Sequence, residues 1–392
     1  MASEWKNIRA ADFVEFNPRL SIKKGAMATK IAMDKLQPFT KKIPATEQAE
    51  YAGGAKFCNG DTIMARITPC LENGKTAFVD VLGDSEIAFG STEFIVMRAR
   101  PGVSDPQFVY YLATSPMFRN VAIKSMVGSS GRQRVQQGVL EELELTVPPL
   151  DEQKKIGSFL TALDQKIALN CKINDNLLQQ AATIFRQWFS VNPESEKWPL
   201  VTLDILSSLI SRGIAPKYDD ASTQIVLNQK CIRDHYIDTL LARRHKPKVI
   251  NEKWLQYGDL LINSTGEGTL GRAAQVWFVP ENMTVDSHVT IVRPKNQLLL
   301  FYIGLWGISH EREIEALHTG STGQTELPRD RVKAMELRLP DNDTLTRFNA
   351  VIAPMVSAIV VNQQENARLA SVRDALLPKL MSGEIDVSEI DI

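Results

Sequence analysis

The stretch Leu143-Glu-Leu-Thr-Val-Pro-Pro-Leu-Asp-Glu-Gln-Lys-Lys-Ile156, continued as far as Phe189, decides the fold of this chain. It predicts a short apolar strand, a turn at Pro148 and Pro149, and then a long helix with Asp151 as its N-cap. The helix would be about 58 Å long at about 1.5 Å per residue, and a helix of that length needs a packing partner in water. Its apolar residues alternate at spacings of four and three, the pattern of a helix packed on another helix: Ile156, Leu160, Leu163, Ile167, Leu177, Ala181, Ile184 and Trp188.

The same pattern returns 192 residues further along the chain. Met335-Glu-Leu-Arg-Leu-Pro340 leads into a second predicted helix, Asp341–Leu380, and the two segments align without a gap. Gapless similarity at a fixed offset indicates an internal repeat, whereas two unrelated amphipathic helices are the alternative. Two stripe positions are asparagine in both copies, and we expect them to pair and to fix the register of the helices: Asn170, Asn174, Asn362 and Asn366.

The repeat also extends upstream of both helices. Gly128-Ser-Ser-Gly131 matches Gly320-Ser-Thr-Gly323 at the same offset, and Gly60-Asp61 and Gly258-Asp259 each open a strand-rich stretch. The polar segment Ser190–Pro199 separates the two copies and is predicted to be a linker. The chain is therefore predicted to contain two copies of one unit, each a strand-rich globular half followed by a long helix.

Four motifs together make the chain resemble the specificity subunit of type I restriction-modification systems, HsdS, over essentially its whole length. They are Val147-Pro-Pro-Leu-Asp-Glu-Gln-Lys-Lys-Ile156, Gly60-Asp-Thr-Ile-Met-Ala-Arg-Ile-Thr-Pro-Cys-Leu-Glu-Asn-Gly-Lys75, Ile262-Asn-Ser-Thr-Gly-Glu-Gly-Thr-Leu-Gly-Arg272 and Leu376-Leu-Pro-Lys-Leu-Met-Ser-Gly-Glu-Ile385. The second helical region departs from the pattern, because Pro149 becomes Asp341 and Gln153 becomes Leu345.

The resemblance implies an α+β fold in which two target-recognition domains are separated by two long antiparallel helices, with an internal pseudo-twofold repeat. The expected boundaries are residues 1–147 and 193–340 for the recognition domains, and residues 148–192 and 341–392 for the helical spacers and the tail. The resemblance also implies double-stranded DNA with a bipartite target, two methyltransferase subunits, and restriction subunits that act as motors. S-adenosylmethionine, ATP and Mg²⁺ would belong to those partners, and this chain would bind no cofactor and perform no chemistry.

Composition limits the function further. A formal net charge of −1 argues against a protein that coats DNA through bulk charge, so any DNA affinity must come from local patches or be shared with a partner subunit. The four cysteines lie far apart and show no metal-ligand spacing, which fits a reduced cytoplasmic setting. We expect no membrane span, because no run of about 18 apolar residues occurs. The N-terminal residues show no apolar signal core.

Basic stretches and glycine loops supply the candidate DNA contacts. Six lysines lie between Ser21 and Lys42 against one acid, and such a surface would release counterions from phosphates, although a solvated loop is the plain alternative. Arginine and glutamine in the glycine loops suit guanine and adenine edges, although these loops are equally consistent with simple connections. The candidates are Lys23, Lys24, Lys30, Lys41, Lys42, Arg66, Lys75, Arg132, Gln133, Arg134, Lys230, Arg233, Arg243, Arg244, Lys246, Lys248, Arg272 and Gln324.

Gly266-Glu-Gly-Thr-Leu-Gly271 has the spacing of a dinucleotide-binding loop, but strands are predicted on both of its sides. A dinucleotide site needs a following helix, so we interpret the segment as a hairpin connection. The sequence contains no phosphate-binding G-x-x-x-x-G-K-[ST] motif and no amino-methyltransferase Asn/Asp-Pro-Pro-Tyr/Phe motif. Two other classes stay open: a helical scaffold that does not touch DNA, and an enzyme with an unrecognised site.

Local patterns give further expectations. Residues 1–20 are predicted to be a helix-turn, and residues 105–115 a short helix whose aromatic side chains enter the core. Asn73-Gly74 predicts a hairpin turn, and His288 is predicted to pack within a strand. Pro354 predicts a kink or a later start of the second long helix. Pro378 predicts the end of its regular apolar stripe, with residues 381–392 as a tail.

Overall fold

Two long α-helices are the largest elements of the computed structural model, which describes residues 5–129, 131–320 and 325–387. The α-helices are α1 (Ala10–Phe13), α2 (Pro106–Thr114), α3 (Pro116–Lys124), α4 (Gln137–Glu141), α5 (Leu150–Phe189), α6 (Leu203–Leu206), α7 (Leu300–Ser309), α8 (Glu311–Ala316), α9 (Arg329–Lys333) and α10 (Asn342–Ser382). The chain divides into two compact units: unit 1 comprises residues 1–170 and 365–392, and unit 2 comprises residues 171–364.

The strands are short and lie in both units. They are β1 (Lys6–Arg9), β2 (Val14–Phe16), β3 (Met27–Ile31), β4 (Glu47–Glu50), β5 (Lys56–Phe57), β6 (Thr62–Ala65), β7 (Thr76–Phe78), β8 (Ala88–Gly90), β9 (Phe94–Ala99), β10 (Glu144–Val147), β11 (Leu200–Thr202), β12 (Ser207–Arg212), β13 (Ile225–Leu227), β14 (Ile232–Arg233), β15 (Tyr236–Ile237), β16 (Arg243–Arg244), β17 (Leu260–Asn263), β18 (Ala273–Gln275), β19 (Met283–Val285), β20 (Val289–Pro294) and β21 (Glu336–Arg338).

The two units share one sheet plan. Unit 1 contains an antiparallel sheet of order β2-β9-β6-β7, and unit 2 contains its counterpart, β12-β20-β17-β18. Each unit adds a second sheet with one parallel pair, β3–β8 in unit 1 and β13–β19 in unit 2. A two-stranded pair precedes each long helix, β1–β10 and β11–β21. These matching topologies confirm the predicted α+β class and the internal repeat.

In unit 1, strands β6 and β9 of the main sheet are buried on both faces, and each face packs into a different hydrophobic core. Met64 and Met97 lie in a core with α2, whereas Ile63 and Val96 lie in a core with the second sheet. Successive side chains of a strand point to opposite faces, so one apolar strand contributes to both cores. Helix α2 contributes Phe108, Tyr110 and Tyr111 to the first core, as predicted.

A buried ion pair recurs at the start of the third strand of each main sheet. In unit 1, the Nε and Nη2 atoms of Arg98 donate to the two carboxylate oxygens of Asp61 at 2.7 Å. In unit 2, Arg293 donates in the same bidentate manner to Asp259 at 2.8 Å. Both aspartates are fully buried. The Gly-Asp pairs that marked the repeat in the sequence therefore hold arginine on the neighbouring strand.

Segments of the two long helices pack together inside each unit. In unit 1, Ile156 and Leu160 of α5 share a core with Leu377 and Leu380 of α10. In unit 2, the buried apolar residues of α5 and α10 that share one core are Leu178, Ala181, Phe185, Phe189, Leu345, Phe348, Ile352, Val356 and Ile359. The Nδ2 atom of Asn170 donates to Oδ1 of Asn366 at 2.9 Å in unit 1.

Asn362 donates to Oδ1 of Asn174 at 2.8 Å in unit 2. Within each unit, residues later in α5 contact residues earlier in α10, so the two helix segments are antiparallel. An amide pair of this kind disfavours shifted registers, because a shift would leave both amides without a partner in a buried layer.

Both helices differ from prediction at their ends. Helix α5 begins at Leu150, which places Asp151 in the first turn and not at the N-cap. Helix α10 runs from Asn342 through Pro354 and Pro378 to Ser382, close to the predicted Asp341–Leu380. The later start that Pro354 allowed is wrong, and so is the predicted end of the apolar stripe at Pro378, because Leu380 and Met381 are buried. Both prolines are exposed. The helical turn after Pro378 is held by the buried side chains of Leu380 and Met381. This packing compensates for the hydrogen bond that a proline removes.

The N-terminal segment and His288 also differ from prediction, whereas the Gly266–Gly271 loop agrees with it. Residues 6–16 form strand, one helical turn and strand, so the predicted helix-turn is wrong; pairing of β1 with β10 overrides the local pattern. His288 lies exposed in the turn before β20 and not packed in a strand. The Gly266–Gly271 loop does connect the antiparallel strands β17 and β18, as predicted.

The Gln153-to-Leu345 difference has a structural reason. The buried side chain of Gln153 accepts from the amide of Asp105 at 3.0 Å and donates to the carbonyls of Val103 and Pro148. Leu345, at the corresponding position, is buried in the apolar core of unit 2. At this position, the first helix is held by hydrogen bonds and the second by apolar packing.

Helix α10 includes one window that by length and composition alone would suffice to cross a membrane. Four of its apolar residues, Phe348, Ile352, Val356 and Ile359, are buried in the core of unit 2. Soluble core helices pass the same test, so this window does not indicate a membrane span.

Candidate nucleic-acid interface

Two loops that the sequence suggested separately meet in unit 1. The connection between β6 and β7 pairs with the glycine loop through a backbone bridge from Ile67 to Arg134. A second bridge, from Val127 to Arg134, joins the two ends of the glycine loop itself. The amide of Thr68 donates to the carbonyl of Gln133 at 3.0 Å, and that of Val135 to the carbonyl of Arg66 at 2.8 Å. This backbone pairing joins the two loops into one surface.

Three charged side chains converge on that surface. Arg134 donates to the carboxylate of Glu93 at 2.7 Å, and Nε of Arg66 lies 4.0 Å from the same carboxylate. The hydrogen bond from Arg134 lowers the pKa of Glu93. Arg132 is exposed and Gln133 half-buried beside this cluster. An arginine oriented by a carboxylate keeps N–H groups for an acceptor such as a guanine edge.

The remaining unit 1 candidates fall into two groups. Lys23, Lys24 and Lys42 are exposed. Lys30 forms an ion pair with Glu47 at 2.8 Å, and Nζ of Lys75 donates to the carbonyl of Met33 at 2.9 Å. The first group suits phosphate contact without rearrangement, whereas the second is already engaged within unit 1.

Lys41 points into the protein. Its Nζ donates to Thr161 at 2.7 Å and to Gln107, and lies 4.6 Å from the ring centroid of Tyr111. Burial lowers the pKa of Lys41 to about 8, although Asp164 acts in the opposite direction. This environment favours a role in packing α5 onto α2.

We expect Lys41 to titrate near pH 8 in an NMR experiment on isotope-labelled lysine side chains. An ordinary unfolded lysine titrates near 10.4, so between about 8 and about 10.4 the unfolded chain binds the extra proton. The contribution of Lys41 to the free energy of unfolding therefore rises with pH across that interval. Lys41→Met should remove the shifted resonance, and a wild-type resonance near the ordinary value would contradict this environment.

The matching surface of unit 2 carries different chemistry. Thr265 and Thr319 form backbone bridges to Glu326, as Ile67 and Val127 do to Arg134. Glu326 forms a short ion pair with Arg212. Nδ1 of His288 lies 2.8 Å from the hydroxyl of Thr265. Arg272 donates to the carbonyl of Gly268 at 2.7 Å and shapes the loop, whereas Gln324 lies outside the described residues.

The other unit 2 candidates lie within residues 228–248. Arg243 stacks on Tyr218 with its guanidinium 3.4 Å from the ring centroid, and Arg244 donates to the carbonyl of Ser222. Arg233 lies 3.5 Å from the carboxylate of Asp234. The three lysines of this segment are exposed: Lys230, Lys246 and Lys248.

Sequence reasoning missed the partners that orient these arginines. Glu93, Arg212, Tyr218 and Glu326 were not singled out, because their roles depend on pairing between distant segments. One signal was available: the offset of 192 aligns Arg134 with Glu326. Within the described parts of the chain, no group of three or more His, Cys, Asp or Glu side chains is arranged to hold a metal ion.

Comparisons with known proteins agree with this architecture. Residues 2–179 match the type I restriction modification DNA specificity domain. The chain is 32% identical to the type I restriction enzyme HindI specificity subunit of Haemophilus influenzae, covering 83% of this chain and 86% of that protein. It is 25% identical to the MjaIX specificity subunit of Methanocaldococcus jannaschii, covering 72% of this chain and 70% of that protein.

A solved structure shares the fold. The crystal structure of a type I restriction-modification S subunit from M. genitalium aligns with a TM-score of 0.54 at 14% identity, covering 97% of this chain and 96% of that one. At this identity the likeness concerns the fold alone.

Proposed function

This chain belongs to the family of type I restriction-modification specificity subunits, and from that premise we propose that each of its units binds one half of a bipartite DNA target. Specificity subunits of this family are not themselves catalytic. Sequence reading would reside in the loop surfaces of units 1 and 2, and the chemistry in partner subunits.

One observation carries the proposal: the same backbone-bridge position holds an arginine in unit 1 and a glutamate in unit 2, each paired with a side chain of the opposite charge. Arg134 of unit 1 and Glu326 of unit 2 occupy the same position of the same backbone bridge. Arginine pairs with guanine acceptors, and glutamate accepts from the amino group of cytosine. A shared frame with different side chains is what two unlike half-sites require.

The long helices would set the gap between the half-sites. We assign residues 1–147 and 193–340 to recognition, and residues 148–192 and 341–392 to helical spacers and the tail. The paired asparagines Asn170, Asn174, Asn362 and Asn366 would fix the register on which that gap depends. Major-groove access recurs about every 34 Å along B-DNA, so helices of about 58 Å would place the half-sites about a turn or more apart.

The helices also offer surface for protein partners. Their exposed apolar residues are Leu169, Ile173, Val351, Val361 and Val372. Exposed apolar side chains on these helices are available for a protein contact, and we propose two methyltransferase subunits there. S-adenosylmethionine, ATP and Mg²⁺ would be bound by those subunits and by restriction subunits, in the cytoplasm. A helical scaffold without DNA contact is the second candidate, favoured only by this apolar surface.

The test is to co-express the chain with a methyltransferase subunit from the same operon and to sequence modified bases in the host DNA. We expect a split motif with methyladenine in both halves. A purified, folded complex that leaves host DNA unmethylated and shows no salt-dependent DNA binding would favour the scaffold.

Inserting one heptad after Asn170 and one before Asn366 should lengthen both helices and preserve their stripes. Seven residues add about 10 Å, or about three base pairs at about 3.4 Å each, to the gap of the methylated motif. Both half-site sequences should stay as they are. Methylome sequencing measures both quantities, and an unchanged gap in a folded variant would refute the spacer role.

A further inference from the structure

The most exposed large apolar side chain among the described residues lies in the basic segment of unit 2. Leu240 is 92% exposed and sits in a single 3₁₀ turn, Thr239–Leu241. Its neighbour Leu241 is 50% exposed. Exposing leucine to water in this way is unfavourable in the isolated protein, so a partner that covers it would gain binding energy.

The turn that presents Leu240 is well anchored. The carboxylate of Asp238 accepts from the amide of Leu240 at 2.9 Å, and the amide of Asp238 donates to the carbonyl of buried Cys231 at 2.8 Å. On the other side, β16 pairs with β13 immediately after Ala242. Leu240 therefore projects from a fixed support and not from a loose loop.

Positive charge is concentrated in the segment that carries this projection. The segment 230–248 contains six lysines and arginines against two acids: Lys230, Arg233, Arg243, Arg244, Lys246 and Lys248 against Asp234 and Asp238. One acid caps the turn, and the other lies beside Arg233. Protein interfaces are depleted of lysine, whereas phosphates attract such clusters. The charges therefore favour DNA over a protein as the occupant.

We propose that Leu240 is an apolar wedge that inserts at a base step of the DNA bound by unit 2. Leucine is one of the side chains that DNA-distorting proteins insert between bases, while flanking cations hold the backbone. The lysines and arginines around Leu240 would supply those phosphate contacts. This inference rests on the proposed DNA-reading function and adds a specific distortion to it.

Unit 1 has no matching wedge at the corresponding connection. The segments between β3 and β4 and between β13 and β16 are of equal length, and the first exposes Phe39. However, the guanidinium of Arg119 lies 5.2 Å from the Phe39 ring centroid, and the amide of Phe39 donates to the carbonyl of Gly74. Phe39 is thus engaged within unit 1, so distortion is expected in one half-site only.

The experiment uses the complex with its methyltransferase subunit and a duplex that carries the motif found by methylome sequencing. 2-Aminopurine is placed at successive steps of both half-sites, avoiding the adenines that become methylated, because methyltransferases flip their target base. We expect increased fluorescence at one step of one half-site. Leu240→Ala should abolish it and weaken binding roughly tenfold, or about 1.4 kcal/mol.

Two further variants serve as controls. Leu240→Met keeps a wedge and should keep the signal, and Val279→Ala removes a side chain of unit 2 that is 79% exposed and should also keep it. Specific binding with no fluorescent step, or a signal unchanged in Leu240→Ala, overturns the wedge alone. Loss of methyltransferase assembly in Leu240→Ala assigns the leucine to a protein contact and also overturns it. Failure of the wild-type complex to bind any duplex overturns both proposals.

Discussion

Replacing Arg293 with alanine is expected to lower the free energy of unfolding of unit 2 by about 3–5 kcal/mol. Arg293 makes two hydrogen bonds to Asp259 and two more to the carbonyls of Glu252 and Trp254. Asp259 is fully buried, so the substitution leaves a carboxylate without its cation and outside the reach of water. Urea denaturation followed by tryptophan fluorescence would measure the loss, because five of the six tryptophans lie in unit 2.

Arg347→Ala is the matched control. It removes an arginine that also belongs to unit 2 and pairs with Asp343 one helical turn away at 3.0 Å, with both side chains largely exposed. Exposed pairs of this kind contribute at most about 1 kcal/mol. Equal effects of the two substitutions would show that burial of Asp259 does not govern the stability of this pair.

Arg373→Ala is expected to destabilise unit 1 by a similar amount, about 3–5 kcal/mol. Its Nη1 atom donates to Oδ1 of Asp164 at 2.6 Å, and the hydroxyl of Tyr111 donates to the other oxygen at 2.6 Å. Both members of the ion pair are mostly buried. The pair links α10 to α5 and α2, so its loss should release the C-terminal part of α10. Hydrogen exchange measured by mass spectrometry would show faster exchange there.

Arg368→Ala provides the comparison, because Arg368 lies exposed on the same helix. It should leave exchange in residues 371–382 unchanged. Arg373→Lys retains a charge but not the planar fork, and an intermediate effect is expected. Slow, wild-type exchange in Arg373→Ala would mean that apolar packing alone holds α10 on unit 1.

The long helices and the repeat were predictable because their signals are periodic and local. Spacings of four and three identify a helical stripe without any tertiary information, and a fixed offset identifies a repeat. The glycine-rich hairpin was predictable for the same reason, since strands flank it on both sides. Pro378 misled the prediction of where the apolar stripe ends, because Leu380 and Met381 pack into the core beyond it and no local pattern reveals that packing.

The candidate surface was less accessible to sequence reasoning. Six lysines in residues 21–42 looked alike, yet Lys41 is turned inward onto Thr161 and Tyr111. Asp61 was visible as part of a repeated Gly-Asp pair, but its partner Arg98 is 37 residues away on another strand. Such pairings depend on sheet register, which a single sequence does not specify.

The division of the chain into units has a consequence for synthesis on the ribosome. Unit 2 is continuous from residue 171 to residue 364, whereas unit 1 needs residues 365–392 to complete it. Leu377, Leu380, Met381 and Val387 fill a core whose other members come from residues 10–160. At about 5–20 residues per second, translation reaches those residues roughly 10–40 s after residue 170 has been made. The nascent first half must therefore wait with an open apolar core while the second half folds, and during that interval it is the part of the protein most exposed to chaperones and aggregation.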